Sequence, residues 1–176
     1  MLELLDLKQK TDKASFKREK DALELRLAEL QREARQRKIP VLILFEGWDA
    51  AGKGTLINEL ILPLDPRGFK VQSTLRPTGE ESLRPFLWRF WIRIPDKGRI
   101  AVFDRSWYSR LLEDAAGSGK RRETLKEAFR DVTAFERQLT DEGAVILKFF
   151  LHISKAEQKK RFEKLLKNET TDWRVT

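Results

Sequence analysis

Residues 41 to 55 read VLILFEGWDAAGKGT, and this stretch decides the fold class. Val41 to Phe45 form an uninterrupted apolar run, which is typical of a parallel strand buried on both faces. The frame Gly47-x4-Gly52-Lys53 that follows is the Walker A pattern, and a helix is predicted from about Lys53 to Leu62. A strand, a glycine-rich turn and a helix in this order predict a loop whose backbone N–H groups wrap phosphate oxygens at a helix N-terminus.

Seven residues of this stretch are candidates for phosphate binding: Gly47, Ala50, Ala51, Gly52, Lys53, Gly54 and Thr55. Lys53 is expected to bridge the terminal phosphates. Gly54 replaces the Ser or Thr that usually follows this lysine and holds Mg²⁺, and Thr55 comes one residue later. Asp49 lies inside the loop, where a bare carboxylate would repel a phosphate by about 1 to 4 kcal/mol per like pair. We therefore predict that Asp49 faces a metal or a neighbouring arginine, with a loop-stabilising hydrogen bond as the alternative.

Strands and helices alternate along the rest of the chain. Further strands are predicted at Phe69 to Thr74, Ile100 to Phe103 and Ala144 to Leu151. Helices are predicted at residues 80 to 94, with Pro85 near the start, at residues 122 to 142, and from Ser154 to about Lys167, opened by a capping box of Ser154 and Glu157. This alternation predicts an α/β fold: a P-loop kinase-like three-layer sandwich with a central parallel sheet.

A second acidic site follows the third predicted strand, in the segment IAVFDRSWYSR. Asp104 is at the carboxyl end of that strand, where open α/β sheets bind their ligands. A strand-end aspartate also orients Mg²⁺ in P-loop enzymes, so Asp104 is a candidate metal ligand, with a plain helix cap as the alternative. Arg105 and Arg110 come next, and arginine pairs bidentately with phosphate.

Composition favours a polyanionic partner without choosing one. Lys and Arg number 36 against 28 Asp and Glu, a net charge of +8. There is no cysteine, which excludes disulfides and cysteine–metal sites. The charged start MLELLDLKQK is unlike a signal peptide, and no apolar run approaches a membrane span, so a cytoplasmic location without a membrane partner is expected.

Residues 1 to 38 are rich in charges of both signs and are predicted to form a helical extension, followed by the main domain at residues 39 to 176. Leu23, Leu27, Leu30 and Ala34 recur at helical spacing. The pattern predicts an amphipathic helix packed on the domain, with a basic arm that touches the substrate as the alternative.

Four segments together resemble one known family. GWDAAGKG, PTGEESLRPFLWRFW, FDRSWYSRLL and HISKAEQKKRFEKL, in this order, look like the polyphosphate kinase 2 family over roughly residues 8 to 176. LWRFWIRIPDKGRI and the closing WRVT are similar to the polyphosphate:AMP phosphotransferases of that family. The resemblance implies transfer of a terminal phosphoryl group between inorganic polyphosphate and AMP or ADP with Mg²⁺. It further implies an adenine or other purine nucleotide as partner, no specific nucleic acid, and a homo-oligomer.

The resemblance also implies roles for individual residues. Asp49 and Asp104 would organise the metal, together with an acidic residue after the DRSWY motif, for which Asp114 is the best positional match and Glu113 the alternative. Lys53 and Arg105 would hold the transferring phosphoryl group, and Arg161 would be the lid arginine that closes over the phosphates.

Family members continue past this chain, through the return of the lid and a further strand, so a partial lid and slow turnover by the chain alone are expected. Two alternatives to the polyphosphate enzyme stay open on the sequence. One is an ATP-dependent nucleoside monophosphate kinase, against which Gly54 and DRSWY argue. The other is a weakly active half that binds polyphosphate and assembles with another chain.

Overall fold

The computed structural model describes residues 2–7, 9–109, 111–112, 122–167 and 172. The strands are β1 (Val41–Gly47), β2 (Phe69–Ser73), β3 (Ile100–Asp104) and β4 (Val145–Leu151). The helices are α1 (Lys13–Gln36), α2 (Lys53–Ile61), α3 (Gly79–Ser82), α4 (Trp88–Trp91), α5 (Arg122–Asp141) and α6 (Lys155–Leu166), with 3-10 turns at Leu2–Leu4 and Pro66–Gly68.

The four strands form one parallel sheet in the order β2-β3-β1-β4. The two central strands, β1 and β3, are covered on both faces, which explains why Val41 to Phe45 reads as a continuous apolar run. In the register of the sheet, Phe45 of β1 lies beside Asp104 of β3. The glycine-rich loop and Asp104 therefore leave the sheet at the same carboxyl edge, as predicted.

Helices cover both faces of the sheet, so the predicted three-layer sandwich is confirmed. On one face, Leu42, Leu44 and Phe103 pack with residues of α4 and α5, Phe90 and Phe135 among them. On the other face the alternate strand residues pack against α1 and α2; they are Ile43, Phe45 and Val102, facing Leu27 and Ile57. The alternation follows from the two-residue period of a strand, which points successive side chains to opposite faces.

The single helix predicted at residues 80 to 94 is wrong. The segment forms two separate turns of helix, α3 and α4, with an irregular stretch between them. Pro85 explains the break, because proline has no N–H to donate and its ring disfavours helical backbone at the preceding residue. Thr78 caps the start of α3 through a reciprocal capping box with Glu81.

The N-terminal helix packs on the domain through a polar contact as well as an apolar one. Leu27 joins the apolar cluster beside α2, whereas Leu23 and Leu30 are exposed. The buried Gln31 amide donates to the Asp65 carbonyl (3.0 Å) and accepts from the Asp65 N–H (2.7 Å), which ties α1 to the turn before β2. None of the helices in the described part of the chain is both long and apolar enough to cross a membrane.

Candidate phosphate-binding site

The loop after β1 depends on backbone conformations that few residues adopt. Gly47 has φ +135° and Gly52, the residue that precedes α2, has φ +104°. Gly47 also lies against the backbone of Leu151 in β4, so closely that a Cβ there would lie 2.7 Å from the Leu151 nitrogen. Ala50 has a positive φ of 59° although it is not glycine. Residues held in such conformations concentrate at functional sites, where the surrounding structure enforces them.

Lys53 begins α2 and folds back over the loop. Its ammonium donates to the carbonyls of Gly47 (3.0 Å) and Trp48 (3.1 Å) and lies 3.9 Å from an Asp49 carboxylate oxygen. Burial lowers the pKa of the Lys53 ammonium, and the charge of Arg105 acts in the same direction, while nearby carboxylates oppose the shift. The loop thus holds a partly desolvated cation, whose charge acts more strongly on a neighbouring anion than it would in water.

The loop after β1 meets the turn after β3 through an ion pair. Arg105 donates to Asp49 across 2.6 Å, so Asp49 faces a neighbouring arginine in this structure. Asp104 ends β3 and lies close enough to oppose the downward pKa shift of Lys53. Four of the predicted site residues, Asp49, Lys53, Asp104 and Arg105, are therefore brought to one place at the edge of the sheet.

The fifth predicted residue, Arg161 of α6, binds the same loop from outside. Its guanidinium donates to the carbonyls of Ala50 (3.1 Å) and Ala51 (3.0 Å), and the Glu157 carboxylate accepts from its Nε at 2.7 Å. Gln158, one helical turn before, donates to the Asp49 carbonyl at 2.9 Å. Because C=O and N–H point in opposite directions across a trans peptide, these contacts turn the N–H groups of Ala50 and Gly52 away from α6.

Ser154 starts α6 as predicted, although its capping box differs from the prediction. The Ser154 hydroxyl accepts from the Glu157 N–H at 3.1 Å, which is the expected cap. The Glu157 carboxylate, however, accepts from Arg161, and this contact lowers the pKa of the Glu157 carboxyl. The helix start therefore orients the arginine that binds the loop.

Several contacts of the site were not predicted from the sequence. Trp48 donates from its indole N–H to Nδ1 of His152 at 2.8 Å, which joins the loop to the end of β4. Glu46 and Glu136 are carboxylates with low exposure that accept hydrogen bonds from the segment after Asp104. A charged residue at the end of an apolar strand, as in VLILFEG, was the one available hint for Glu46.

The oxygen donors of the site fit Mg²⁺. Asp49 is 61% exposed and one of its oxygens binds Arg105, while Asp104 adds a second carboxylate from the neighbouring strand. Mg²⁺ is commonly held by one or two carboxylates together with phosphate oxygens and water, so a two-carboxylate set is sufficient. Among the described residues no group of three or more metal-ligating side chains occurs. The predicted third ligand, Asp114, and its alternative Glu113 lie outside the described residues.

Together the sheet order, the Walker A loop and the strand-end aspartate define a P-loop kinase-like protein. The family model of polyphosphate kinase 2 matches residues 10–176, and the chain belongs to that family. The chain is 38% identical to the polyphosphate:AMP phosphotransferase of Pseudomonas aeruginosa over 176 residues, which is 100% of the chain and 36% of the relative. It is 37% identical to the AMP/ADP-polyphosphate phosphotransferase of Meiothermus ruber, covering 76% of the chain and 50% of the relative.

Solved structures agree with this assignment. A crystal structure of polyphosphate kinase 2 from Arthrobacter aurescens superposes with a TM-score of 0.93 at 31% identity, covering 100% of the chain and 65% of that protein. One of a putative polyphosphate kinase 2 from Pseudomonas aeruginosa gives a TM-score of 0.93 at 38% identity, with 99% and 38% covered. The chain thus spans about a third to a half of the length of these curated relatives.

Proposed function

We propose that the chain carries a phosphotransferase centre that moves a terminal phosphoryl group between inorganic polyphosphate and AMP or ADP. The proposal rests on one observation: four charged side chains lie together at the edge of the sheet, where the loop after β1 meets the turn after β3. They are Lys53, Arg105, Asp49 and Asp104. Phosphoryl transfer needs little covalent help from the protein, and it depends on positioning and on neutralising the charge of the transferring group. The names of the relatives, polyphosphate:AMP and AMP/ADP-polyphosphate phosphotransferase, support the substrate class.

In this proposal the phosphate chain lies against the loop after β1. The N–H groups of Ala50 and Gly52, which point away from α6, contact phosphate oxygens at the start of α2. Lys53 leaves its carbonyl partners for the terminal phosphates when substrate binds, and Arg105 contacts the transferring phosphoryl group. Arg161, 40% exposed, would leave the Ala50 and Ala51 carbonyls to contact the phosphates, which is the role that the resemblance implies for it.

Mg²⁺ would be held by Asp49 and Asp104, with Asp114 as a further proposed ligand outside the described residues. A bound Mg²⁺ would supply positive charge that offsets the negative charge of the phosphate oxygens. The 2.6 Å contact with Arg105 directs the Asp49 carboxylate across the two loops, toward the strand end that carries Asp104.

The net charge of +8 is the second support for a polyphosphate substrate. A long polyanion can use basic side chains well beyond a single loop, and its binding releases counterions. Affinity for polyphosphate should therefore fall steeply as salt increases, more so than affinity for AMP.

The experiment that tests the proposal is an assay of AMP and ADP phosphorylation with three donors in parallel: polyphosphate, ATP, and none. We expect ATP or ADP product with polyphosphate as the sole donor, formed about 10²-fold or more slowly by Lys53→Ala at equal concentration. Product with ATP alone would replace the proposal by a nucleoside monophosphate kinase. Tight binding of polyphosphate with no turnover from either donor would replace it by the polyphosphate-binding half.

The homo-oligomer implied by the resemblance stays a prediction for this chain. Light scattering across a range of protein concentrations measures it directly, and the assay above should be run at the concentration where the mass is known.

A further inference from the structure

Glu46 is a buried carboxylate one residue before the phosphate loop. It is 8% exposed and lies at the end of the otherwise apolar strand β1. The carboxylate accepts from the Ser106 N–H (2.7 Å), from the Ser106 hydroxyl (2.7 Å) and from the Ser109 hydroxyl (2.9 and 3.0 Å). A carboxylate in such a place is costly unless its oxygens are paired. Here every bond comes from Ser106 or Ser109, in the segment after β3.

These bonds fix the backbone on one side of Arg105. The Ser106 N–H belongs to the peptide plane that follows Arg105, so its direction is set by ψ of Arg105. The Arg105 N–H, in the plane that precedes the residue, donates to the Phe45 carbonyl at 3.0 Å. Both peptide planes that flank Arg105 are therefore held by consecutive residues of β1, Phe45 and Glu46.

Arg105 needs this support because its backbone is strained. Its φ is +64°, in the left-handed region that glycine favours and that is strained for a residue with a long side chain. An ordinary extended or right-handed conformation would point the side chain elsewhere, away from the 2.6 Å contact with Asp49.

We infer that Glu46 is a positioning residue for Arg105: its carboxylate holds the left-handed backbone that directs the guanidinium to Asp49 and to the transferring phosphoryl group. The part of the inference that concerns the phosphoryl group rests on the proposed function. The part that concerns the contact between Arg105 and Asp49 rests on the structure alone. Glu46 directly precedes the loop after β1, and its carboxylate binds the segment after β3. One residue therefore supports both regions of the site.

The test is a double-mutant cycle with Glu46→Ala and Arg105→Ala, read as kcat/KM with polyphosphate and the preferred acceptor. We expect Glu46→Ala to lower kcat/KM by about 10²-fold, as for a displaced catalytic group. In the Arg105→Ala background the same change should cost less than about threefold, because no guanidinium is left to misplace. Equal losses in both backgrounds would overturn the inference.

Glu136→Ala is the matched control. Its carboxylate accepts from the Trp107 indole (3.0 Å) and the Tyr108 hydroxyl (2.8 Å), so it anchors the same segment without touching the peptides beside Arg105. Its effect should be the same with and without Arg105. Glu46→Gln keeps an acceptor for the Ser106 N–H and should restore most of the activity; a glutamine variant as slow as the alanine variant would contradict a positioning role.

A readout that needs no turnover separates this inference from the proposed function. The ¹⁵N resonance of the Arg105 side chain, assigned by its absence in Arg105→Ala, depends on the contact with Asp49. Its chemical shift should be the same in the unmodified chain and in Glu136→Ala, and it should change in Glu46→Ala. If polyphosphate proves not to be the donor, this resonance alone decides the inference, and an unshifted signal overturns it. If Glu46→Ala does not fold, Glu46→Asp, whose shorter side chain withdraws the carboxylate from the Ser106 N–H, is tested in the same two backgrounds by the same criterion.

Discussion

The loop that follows β1 and the turn that follows β3 leave neighbouring strands at the same edge of the sheet, and they differ in what they offer to a ligand. The first offers backbone N–H groups, shaped by Gly47, Ala50 and Gly52 at positive φ, and its carbonyls are held from outside by α6. The second offers side chains, Asp104 and Arg105, and is held from below by Glu46. Substitutions that enlarge a side chain should therefore be most harmful in the loop after β1. Substitutions that remove a charged group should be most harmful in the turn after β3.

The largest expected effect is that of a single methyl group in the first loop. In Gly47→Ala the new Cβ would clash with the backbone of Leu151, so the loop and β4 must move apart. Alanine would also be strained at the φ of +135° that Gly47 adopts. Backbone strain and overpacking together predict a loss of about 2 to 6 kcal/mol in the free energy of unfolding. Denaturant unfolding followed by circular dichroism measures it.

Gly54→Ala is the matched control, because Gly54 is in the first turn of α2 and its added Cβ would meet no described atom within 4 Å apart from its chain neighbours and the backbone of its own helix. Alanine should leave stability unchanged or raise it by up to about 1 kcal/mol, since glycine is a poor helix former. Equal destabilisation in the two variants would show that close packing against β4 is not what requires Gly47.

Lys53, at the end of the first loop, is a side chain whose removal should matter as much as that of the side chains in the second region. Lys53→Ala should lower turnover by about 10²-fold or more, as for other groups that stabilise transition-state charge, because the cation is lost at the phosphates. Stability should change little, since the side chain contacts loop carbonyls rather than the core. Steady-state kinetics measures the turnover and thermal unfolding measures the stability. Lys126→Ala, which removes an exposed lysine of α5, is the control. Near-normal turnover would remove Lys53 from the phosphate site.

One carboxylate from each region tests whether the two act as a single metal site. Asp49→Asn and Asp104→Asn should each raise the Mg²⁺ concentration for half-maximal activity by about tenfold or more, because each removes an anionic oxygen ligand. The measurement is a Mg²⁺ titration of activity at fixed polyphosphate. An unchanged Mg²⁺ requirement in both variants would leave Asp49 as the partner of Arg105 and Asp104 as a structural strand end.

The smallest effect is expected where α6 supports the first loop from outside. The hydrogen bond from Arg161 lowers the pKa of Glu157 below its usual 4.5, so the pair is intact at neutral pH and is lost only as the pH falls through that lowered pKa. Since the pair is exposed to solvent, Glu157→Gln should change affinity for polyphosphate by less than about threefold at neutral pH. A binding titration measures the affinity, and a carboxyl NMR titration checks that the pKa of Glu157 is lowered. A large loss would mean that Arg161 depends on Glu157 far more than an exposed pair should allow.

Local pattern predicted the strands and the phosphate loop well, because their signals are contained in a few consecutive residues. The apolar run of β1, the glycines at fixed spacing and the strand-end Asp104 each have a direct physical reason to be where they are. The single helix predicted at residues 80 to 94 was wrong because that prediction gave too little weight to Pro85. Proline has no N–H to donate, so the helical turn before it, α3, does not continue.

The supporting contacts of the site could not be predicted from the sequence, because each joins residues far apart in the chain. Glu46 meets Ser106 across 60 positions and Arg161 meets Ala50 across 111. A glutamate at the end of a strand or an arginine on a charged helix is consistent with a solvated surface until the sheet order brings its partner close. The network of Trp107, Tyr108, Glu136 and Lys148 is hidden in the same way.

The left-handed backbone of Arg105 has a consequence for redesign of this protein. Glycine or asparagine would adopt a φ of +64° with less strain, so a sequence chosen for stability alone would not place arginine there. Replacing it would relax the turn and at the same time remove the guanidinium next to Asp49. Stabilisation programmes that vary every position freely will favour that exchange, and position 105 should therefore be held fixed while the surface of α1 or α5 is optimised.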